Sequence, residues 1–363
     1  MEKKFDLENY LSYGVQNIVK GIIKSTLSNP KESVFMAKYS IASKNAIKLR
    51  AEADKRGEHV PPFLIASITS KCNLHCKGCY ARHVNSCTDE KTVNQFTDED
   101  WRRVFYEAKD IGVGFILLLG GEPLMRPNVI KIAGKIENIL FPIFTNGTMI
   151  DEKYIKLFQK YRNLIPIFSI EGNESNTDKR RGTGIYSEII KKMNEAHENK
   201  VIYGASITVT KDNIEEVTSE EFLDKLYSRG CKSVIYVEYV PVNEKEKKIA
   251  LEDKEREFLK DKLVKLRCKY EDMLFISFPG DEKSSGGCLA AGRGFFHINF
   301  NGGVEPCPFS PYSDTNLKNL SLKEAMNSPL FRKLRKDNVL MEEHSGGCVL
   351  FEKEDIVQSL LQK

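Results

Sequence analysis

Short apolar runs alternate with longer amphipathic stretches from residue 61 onward. The apolar runs predict six β-strands, over residues 63–69, 115–119, 141–145, 165–170, 201–209 and 233–240. Charged stretches with helical spacing separate these runs, which is the pattern of parallel strands joined by helices. We therefore expect an α/β fold, a partial (β/α)6 barrel, with its chemistry at the carboxyl ends of the strands.

The first 60 residues show a helical pattern instead. Apolar residues recur at helical spacing from Leu11 to Leu27, and Pro30 separates them from a second helical stretch. We expect this N-terminal helical segment, residues 1–60, to pack on the main domain. The alternative is a basic amphipathic helix that lies on a membrane surface. The core barrel is then predicted over residues 61–280.

The last third of the chain changes character again. Residues 244–270 are rich in mixed charge, which predicts a helix with a solvated face. Glycines then become frequent, and a hairpin is predicted over residues 295–304 with its turn at Asn301–Gly302. A single helix is predicted over residues 320–334. Together these features predict a small C-terminal domain over residues 281–363.

The composition excludes some classes of protein. Lys and Arg together number 55 against 51 Asp and Glu, a net charge of +4, so a broad nucleic-acid-binding face is not expected. No apolar run reaches membrane-spanning length and the first residues lack a signal-peptide core, which predicts a cytoplasmic protein without a transmembrane segment. In a reducing cytosol the nine cysteines indicate metal ligation or catalysis rather than disulfides.

Three of these cysteines lie in one loop, directly after the first predicted strand. Cys72, Cys76 and Cys79 have the spacing C-x3-C-x2-C, and thiolates are the protein ligands that iron–sulfur clusters take. Three ligands leave one iron of a four-iron cluster open, and an open metal site indicates catalysis. A zinc site with His75 or His83 as the fourth ligand is the alternative.

This loop resembles the cluster motif of the radical S-adenosylmethionine (SAM) superfamily. Gly120, Gly121, Glu122 and Pro123 follow the second predicted strand and resemble the segment with which that family receives the SAM amino group. The resemblance implies a [4Fe-4S] cluster, held by the three cysteines, that cleaves SAM to a 5′-deoxyadenosyl radical. It also implies an external one-electron reductant, such as flavodoxin or ferredoxin.

Other polar positions resemble the SAM contacts of this family. Ser169 and Glu171 end the fourth predicted strand, where the family places groups that hydrogen-bond the ribose. Arg181 resembles the arginine that pairs with the SAM carboxylate, and its neighbour Arg180 is the alternative. Asn146 ends the third predicted strand, where it either lines the site or shapes a turn.

The resemblance also implies an apolar wall that faces the adenine. Ile207 and Val209 on the fifth predicted strand and residues 239–242, which include Val240, are expected to form it. Ordinary packing inside the barrel explains these positions equally well.

Two further features concern the same region. Many family members carry an aromatic residue just before the third cysteine, where this chain has Gly78; its aromatic residue is Tyr80, which is expected to take that role. Glu238 and Tyr239 at the end of the sixth predicted strand are candidates for a catalytic acid or base. Glu238 could equally form a salt bridge in the barrel.

Cys288, Cys307 and Cys348 form a second group. The stretch from Cys288 through Gly302 to Cys307 resembles the hairpin of the SPASM and Twitch C-terminal extensions, and residues 321–331 resemble the helix that follows it. The chain lacks the middle cysteines of the longer SPASM form. The resemblance therefore implies the shorter, Twitch-like form with one auxiliary iron–sulfur cluster.

Three cysteines leave the fourth ligand of that cluster open. A substrate, a ligand other than cysteine, or one of Cys87, Cys231 and Cys268 could provide it. Alternatively, all three cysteines of the second group are simply buried, and buried packing is also the simplest interpretation of Cys231 and Cys268.

The leading hypothesis for function is a maturase that abstracts hydrogen from a peptide or protein side chain and leaves it oxidised or crosslinked. An auxiliary cluster would accept the electron. The second hypothesis is a small-molecule dehydrogenase, decarboxylase or enzyme of cofactor biosynthesis. A third is a non-catalytic iron–sulfur electron carrier, against which the apparent SAM site argues.

Overall fold

A computed structural model describes residues 30–90, 94–241, 244–285, 287–336, 340 and 348–361. The apolar residues from Leu11 to Leu27 and Val242 lie outside the described residues, so the predictions made for them stay predictions.

Nine strands form a single sheet in the described part of the chain. They are β1 (Phe63–Ser67), β2 (Phe115–Leu119), β3 (Phe141–Thr145), β4 (Leu164–Ser169), β5 (Gly204–Val209), β6 (Ser233–Glu238), β7 (Leu274–Phe278), β8 (His297–Ile298) and β9 (Val304–Glu305). Their order is β7-β6-β5-β4-β3-β2-β1-β8-β9. Neighbouring strands from β1 to β7 are parallel, β8 is parallel to β1, and β9 is antiparallel to β8.

This sheet confirms the predicted α/β fold and partial barrel. All six predicted strands are present. The sequence analysis missed β7, a five-residue run that follows a charged helix and is buried apart from Phe278. Because β7 pairs with β6, the parallel strands continue one place beyond β6.

Fourteen α-helices are found in the described part of the chain, and those between β1 and β7 connect the parallel strands. The fourteen are α1 (Pro30–Lys55), α2 (Tyr80–His83), α3 (Asp98–Ile111), α4 (Pro127–Gly134), α5 (Glu152–Lys160), α6 (Glu174–Arg181), α7 (Ile185–Glu198), α8 (Ile214–Val217), α9 (Glu220–Ser228), α10 (Asp253–Lys269), α11 (Leu322–Ala325), α12 (Pro329–Lys336), α13 (Val349–Glu352) and α14 (Glu354–Leu361). Helix α3 shows how the sequence fixes such an element. Thr97 and Asp100 form a capping box at its start, and Gly112 ends it in the left-handed conformation.

The N-terminal helix α1 packs on the main domain. Phe35, Met36 and Tyr39 form an apolar cluster with Leu140, and Arg50 donates to the Gly112 carbonyl at 2.7 Å. The described part of the N-terminal segment therefore packs on the main domain, as the first of the two alternatives predicted. No helix within the described ranges is long and apolar enough to cross a membrane.

Two helix predictions for the last third of the chain were wrong in their bounds. Residues 320–334 form two helices, α11 and α12, because a proline disfavours helical geometry in the residue before it and is suited to the first turn of a new helix. Residues 244–270 likewise divide into a 3₁₀ helix, Glu244–Ile249, and α10, which starts at a capping box on Glu252.

The predicted hairpin is present as β8 and β9, with Gly302 at a φ of 87° in its turn. Since β8 pairs with β1, the small C-terminal region shares its sheet with the barrel. The boundaries proposed at residues 60 and 280 remain predictions.

Candidate active site

The carboxyl ends of the parallel strands surround a cavity of about 630 Å³. Both cysteine groups line this cavity: Cys72, Cys76 and Cys79 from the loop after β1, and Cys288, Cys307 and Cys348 from the C-terminal region. The fold thus brings into one space two groups that are far apart in the sequence.

Gly120 and Gly121 allow the end of β2 to approach the cysteine loop. The Gly121 N–H donates to the Thr69 carbonyl at 2.8 Å, and the Glu122 N–H donates to the Lys71 carbonyl at 2.7 Å. A side chain on either glycine would overlap this backbone. The two glycines therefore set the position of the loop that carries the first cysteine group.

Glu122 is buried at the same edge of the cavity. Its carboxylate accepts hydrogen bonds from the backbone N–H groups of Asn146 (2.8 Å) and Leu124 (3.0 Å) and from the Thr145 hydroxyl (2.8 Å). Burial raises the pKa of Glu122 to about 7, against the effect of these three bonds. A carboxylate has about four acceptor positions, so one remains for a ligand. Pro123 begins a 3₁₀ turn and does not line the cavity.

Asn146 links the end of β3 to the cysteine loop. Its side-chain N–H donates to Asn73 Oδ1 at 2.9 Å. Asn146 Oδ1 accepts from the Thr148 hydroxyl at 2.7 Å, and that hydroxyl accepts from the side-chain N–H of Asn73 at 2.8 Å. This closed set of bonds fixes the loop, and Asn146 also lines the cavity.

Arg181, the last residue of α6, lies between a buried carboxylate and the first cysteine group. Its Nη2 is 2.6 Å from Glu171 Oε1, and its Nη1 is 3.9 Å from Cys76 Sγ. Glu171 Oε2 accepts from the Thr208 N–H at 2.9 Å. The Arg181 Nε is buried without a hydrogen-bond partner among the described residues. A buried donor of this kind indicates a place for a ligand.

Arg180, the alternative to Arg181, takes a different position. Its Nε is 3.1 Å from Glu171 Oε1 but, like that of Arg181, it is buried without a hydrogen bond among the described residues. Its guanidinium lies 5.5 Å from the centre of the Tyr239 ring. The Arg180 carbonyl accepts from the Lys77 N–H at 2.8 Å, which joins α6 to the cysteine loop.

The second cysteine group lines the same cavity, with Cys307 buried and Cys288 and Cys348 half-buried. The Cys307 thiol donates to Cys348, and the Cys288 thiol donates to the carboxylate of Glu282. Burial raises the pKa of Cys288 well above its usual range, and the negative charge of Glu282 adds to that effect.

The remaining cysteines differ in their surroundings. The buried Cys87 donates to Cys72 and lowers its pKa, so Cys87 belongs beside the first group. Cys231 is buried, with its sulfur 3.2 Å from the Ser233 carbonyl oxygen. Cys268 is exposed on α10, which corrects the expectation that it is buried. Cys231 and Cys268 do not line the cavity.

A family model of the radical SAM superfamily matches residues 66–226, and a model of the SPASM iron–sulfur cluster-binding domain matches residues 288–348. The chain belongs to the radical SAM superfamily. It is a radical SAM enzyme with a SPASM domain, which binds a [4Fe-4S] cluster, SAM and an auxiliary iron–sulfur cluster.

Known proteins of two kinds resemble this radical SAM enzyme. The AdoMet-dependent heme synthase of Methanosarcina barkeri is 26% identical over 81% of this chain and 90% of its own length. The Fe-coproporphyrin III synthase of the same organism is 26% identical over 43% of this chain and only 39% of its own. Streptococcus suis SuiB bound to precursor peptide SuiA shares the fold, with 20% identity, a TM-score of 0.65 and coverage of 88% of this chain and 80% of SuiB.

The residues of the cavity fit these cofactors. Two sets of three thiols line it. Arg180 and Arg181 each offer a buried N–H without a hydrogen bond among the described residues, and Arg181 lies beside Cys76 of the first set. The zinc alternative gains no support. Across the described ranges, no three His, Cys, Asp or Glu side chains stand close enough to hold one metal ion. His75 points to Asp89 at 2.8 Å with an exposed side chain, and neither His75 nor His83 lines the cavity.

Strand β5 corrects the predicted adenine wall of the radical SAM site. Val209 and Ile207 are fully buried in the main core, whereas Ser206 and Thr208 line the cavity. Alternate residues of a strand point to opposite faces, so the two polar positions share the cavity face. The polar–apolar alternation from Ser206 to Val209 could have revealed this in the sequence.

Tyr80 lies between the two cysteine groups. It begins α2 directly after Cys79, and its ring centre is 4.7 Å from that of Phe309, two residues beyond Cys307. Burial raises the pKa of Tyr80 well above its usual value. Tyr80 therefore contacts the SPASM side of the cavity.

The candidate acid and base residues both have partners. Glu238 is buried at the cavity wall and accepts from Arg256 Nε at 2.8 Å, as the salt-bridge alternative predicted. The Tyr239 hydroxyl donates to Glu246, and burial raises the pKa of Tyr239 well above its usual value. Tyr239 and Val240 line the cavity, as does Ser169.

Proposed function

We propose that this radical SAM enzyme is an oxidoreductase whose substrate is oxidised between its two cysteine groups. The observation that carries the proposal is that both groups line one cavity. When bound, the site cluster with SAM supplies hydrogen-atom abstraction, and the auxiliary cluster supplies an acceptor for an electron of the substrate.

The proposal gives a role to the six cysteines of the two groups and to Arg181 with its partner Glu171. Cys72, Cys76 and Cys79 hold the site cluster, and Cys288, Cys307 and Cys348 hold the auxiliary cluster. Arg181 binds the SAM carboxylate through its free N–H, and Glu171 orients Arg181.

Other side chains bind and orient SAM from the strand ends. Glu122 and the glycines before it receive the SAM amino group. Ser169, Ser206 and Thr208 supply hydroxyl groups at the ends of β4 and β5 for the ribose and base.

Of the two substrate classes that the sequence predicts, we favour a small organic molecule. The alignment with the heme synthase covers 81% of this chain and 90% of the heme synthase at 26% identity. The similarity to the peptide-bound SuiB is one of fold. A tetrapyrrole with oxidisable side chains is the class that we propose. A peptide or protein side chain is the second candidate, favoured by the SuiB complex with its precursor peptide.

The proposal is tested with anaerobically reconstituted protein, dithionite and SAM. We expect release of 5′-deoxyadenosine, which is lost in the Cys72→Ala variant and retained in Cys268→Ala, whose cysteine is exposed and outside the cavity. Iron-coproporphyrin III deuterated in its side chains and a deuterated peptide are then compared as substrates. Deuterium in 5′-deoxyadenosine identifies the class that donates hydrogen. Absence of 5′-deoxyadenosine under all conditions would overturn the proposed activity.

A further inference from the structure

One buried carboxylate faces the cavity beside the second cysteine group. Glu282 is only 6% exposed, lines the cavity, and accepts a hydrogen bond from the Cys288 thiol. A second bond comes from the backbone N–H of Leu289. The carboxylate is thus held at the sulfur that begins this group.

The turn after β7 places Glu282 there. The Glu282 N–H donates to the Pro279 carbonyl at 2.8 Å, and the Glu282 carbonyl accepts from the Gly287 N–H at 3.2 Å. The neighbouring Asp281 also lines the cavity but has other partners: its Oδ2 accepts from Arg267 at 2.6 Å and from the Ser277 N–H at 2.8 Å. The two adjacent acids therefore have separate roles in the turn.

Glu282 differs from Asp281 in its charge balance. Among the described residues Asp281 forms an ion pair with Arg267. Glu282 forms no ion pair there; the cation that acts on it is Arg293, whose guanidinium donates to the Cys288 carbonyl. A buried carboxylate without a direct ion pair is costly, and metal ions are a common source of the compensating charge. The site beside Glu282 is therefore suited to a cationic metal group.

The three thiols and this carboxylate form one connected set. Cys288 is bonded to Glu282 and lies within electrostatic range of Cys348, which is bonded in turn to Cys307. The sequence has just three cysteines after residue 280, one fewer than the four irons of a cubane cluster. Of the other cysteines, Cys87 bonds to Cys72, so it belongs to the first group.

We propose that Glu282 is the fourth protein ligand of the auxiliary cluster, together with Cys288, Cys307 and Cys348. Every iron of that cluster then has a protein ligand. The auxiliary cluster is an electron acceptor and not a site at which the substrate coordinates iron. The inference rests on the proposed function only for the presence of an auxiliary cluster, and its test does not involve SAM cleavage.

The experiment uses the full chain in which Cys72, Cys76 and Cys79 are replaced by alanine, so that the auxiliary cluster is observed alone. Anaerobically reconstituted protein is examined by Mössbauer spectroscopy and, after reduction with dithionite, by electron paramagnetic resonance (EPR), with and without added imidazole. Glu282→Ala and Glu282→Cys are introduced into this background. Glu257→Gln is the matched control, since Glu257 also lines the cavity but pairs with Lys260.

We expect the parent and Glu257→Gln to give the same EPR spectrum, insensitive to imidazole. In Glu282→Ala the spectrum should shift when imidazole is added, because one iron is open. In Glu282→Cys a four-iron cluster should form with altered EPR parameters and a lower reduction potential, since thiolate replaces carboxylate. If Glu282→Ala takes up no cluster, the Glu282→Cys result decides the question.

An imidazole-sensitive parent, or a Glu282→Cys spectrum identical to that of the parent, would overturn the assignment. A parent that binds no iron would overturn it together with the auxiliary cluster. Release of 5′-deoxyadenosine by the unaltered chain is a separate measurement, so failure of the ligand assignment is distinguishable from failure of the proposed activity.

Discussion

The ring of Tyr239 fills the space that a side chain on Gly78 would occupy. Gly78 lies in the cysteine loop with a φ of 61°, and a Cβ atom on it would overlap the Tyr239 hydroxyl and lie 3.0 Å from the ring. Many radical SAM proteins carry an aromatic residue at the position of Gly78. Here Tyr239, directly after β6, brings an aromatic ring to that place, which explains why the loop has a glycine.

The first prediction follows from this contact. Gly78→Ala should lower the free energy of unfolding by about 2 kcal/mol, because it adds both left-handed strain and overlap with Tyr239. Tyr239→Phe removes the overlapping hydroxyl and should restore part of the loss in the double variant. Urea unfolding of the apo forms of the parent, both single variants and the double variant measures the coupling. Strictly additive effects would show that the two residues act independently.

The second prediction concerns Arg181. Arg181→Gln should weaken SAM binding by roughly 10- to 100-fold, since a charge-assisted hydrogen bond contributes about 1.5–3 kcal/mol. Equilibrium dialysis of SAM against the reconstituted protein gives the affinity. Arg180→Gln is the matched control, because Arg180 shares Glu171 but lies over Tyr239. A larger loss in Arg180→Gln would assign the SAM carboxylate to Arg180 instead.

The part of the site that could be predicted from the sequence is the part that follows from strand periodicity. Apolar runs indicated six strands, and the residues at their carboxyl ends include Asn146 and Ser169, which line the cavity. The same reasoning failed for Val209, because an apolar residue was expected to face the ligand. In β5 the apolar side chains face the core, and Thr208 occupies the cavity face.

The third prediction is a pH dependence at Glu122, whose pKa burial raises to about 7. The folded protein holds the Glu122 proton more tightly than the unfolded chain, whose carboxyl has a pKa near 4.5. Between those pH values the folded state binds more protons, so stability falls as pH rises, by up to about 3 kcal/mol. Glu122→Gln removes this contribution and should flatten the pH profile of unfolding of the apo protein between pH 4.5 and 7. Parallel profiles for the two proteins would contradict the shifted pKa.

Contacts between distant segments set the limit of the sequence analysis. Glu282 lies six residues before Cys288, yet only the turn after β7 shows that its carboxylate reaches that thiol. The pairing of Gly78 with Tyr239 joins the loop after β1 to the end of β6. No periodicity reports such contacts, because they depend on how strands lie side by side.

The fourth prediction concerns the junction between the barrel and the SPASM region. His297 on β8 is 2% exposed; its Nε2 lies 2.8 Å from Ser67 Oγ on β1, and its Nδ1 lies 2.7 Å from Glu305 Oε2 on β9. His297→Phe leaves two buried polar groups without this partner, so it should cost about 2–4 kcal/mol of unfolding free energy. His197→Phe, at an exposed position on α7, is the control.

Hydrogen exchange locates the effect of His297→Phe. The Ile65 N–H donates to the Phe296 carbonyl at 3.0 Å, so loosening of the junction should speed exchange in β1 and in the hairpin of β8 and β9. Strand β4, three places away from β1 in the sheet, should keep its protection. Equal acceleration in β1 and β4 would mean that the substitution destabilises the whole barrel and that the junction is not a separate unit. Selective acceleration, with less iron bound at the second cysteine group, would show that this hydrogen-bonded histidine holds the auxiliary cluster region against the barrel.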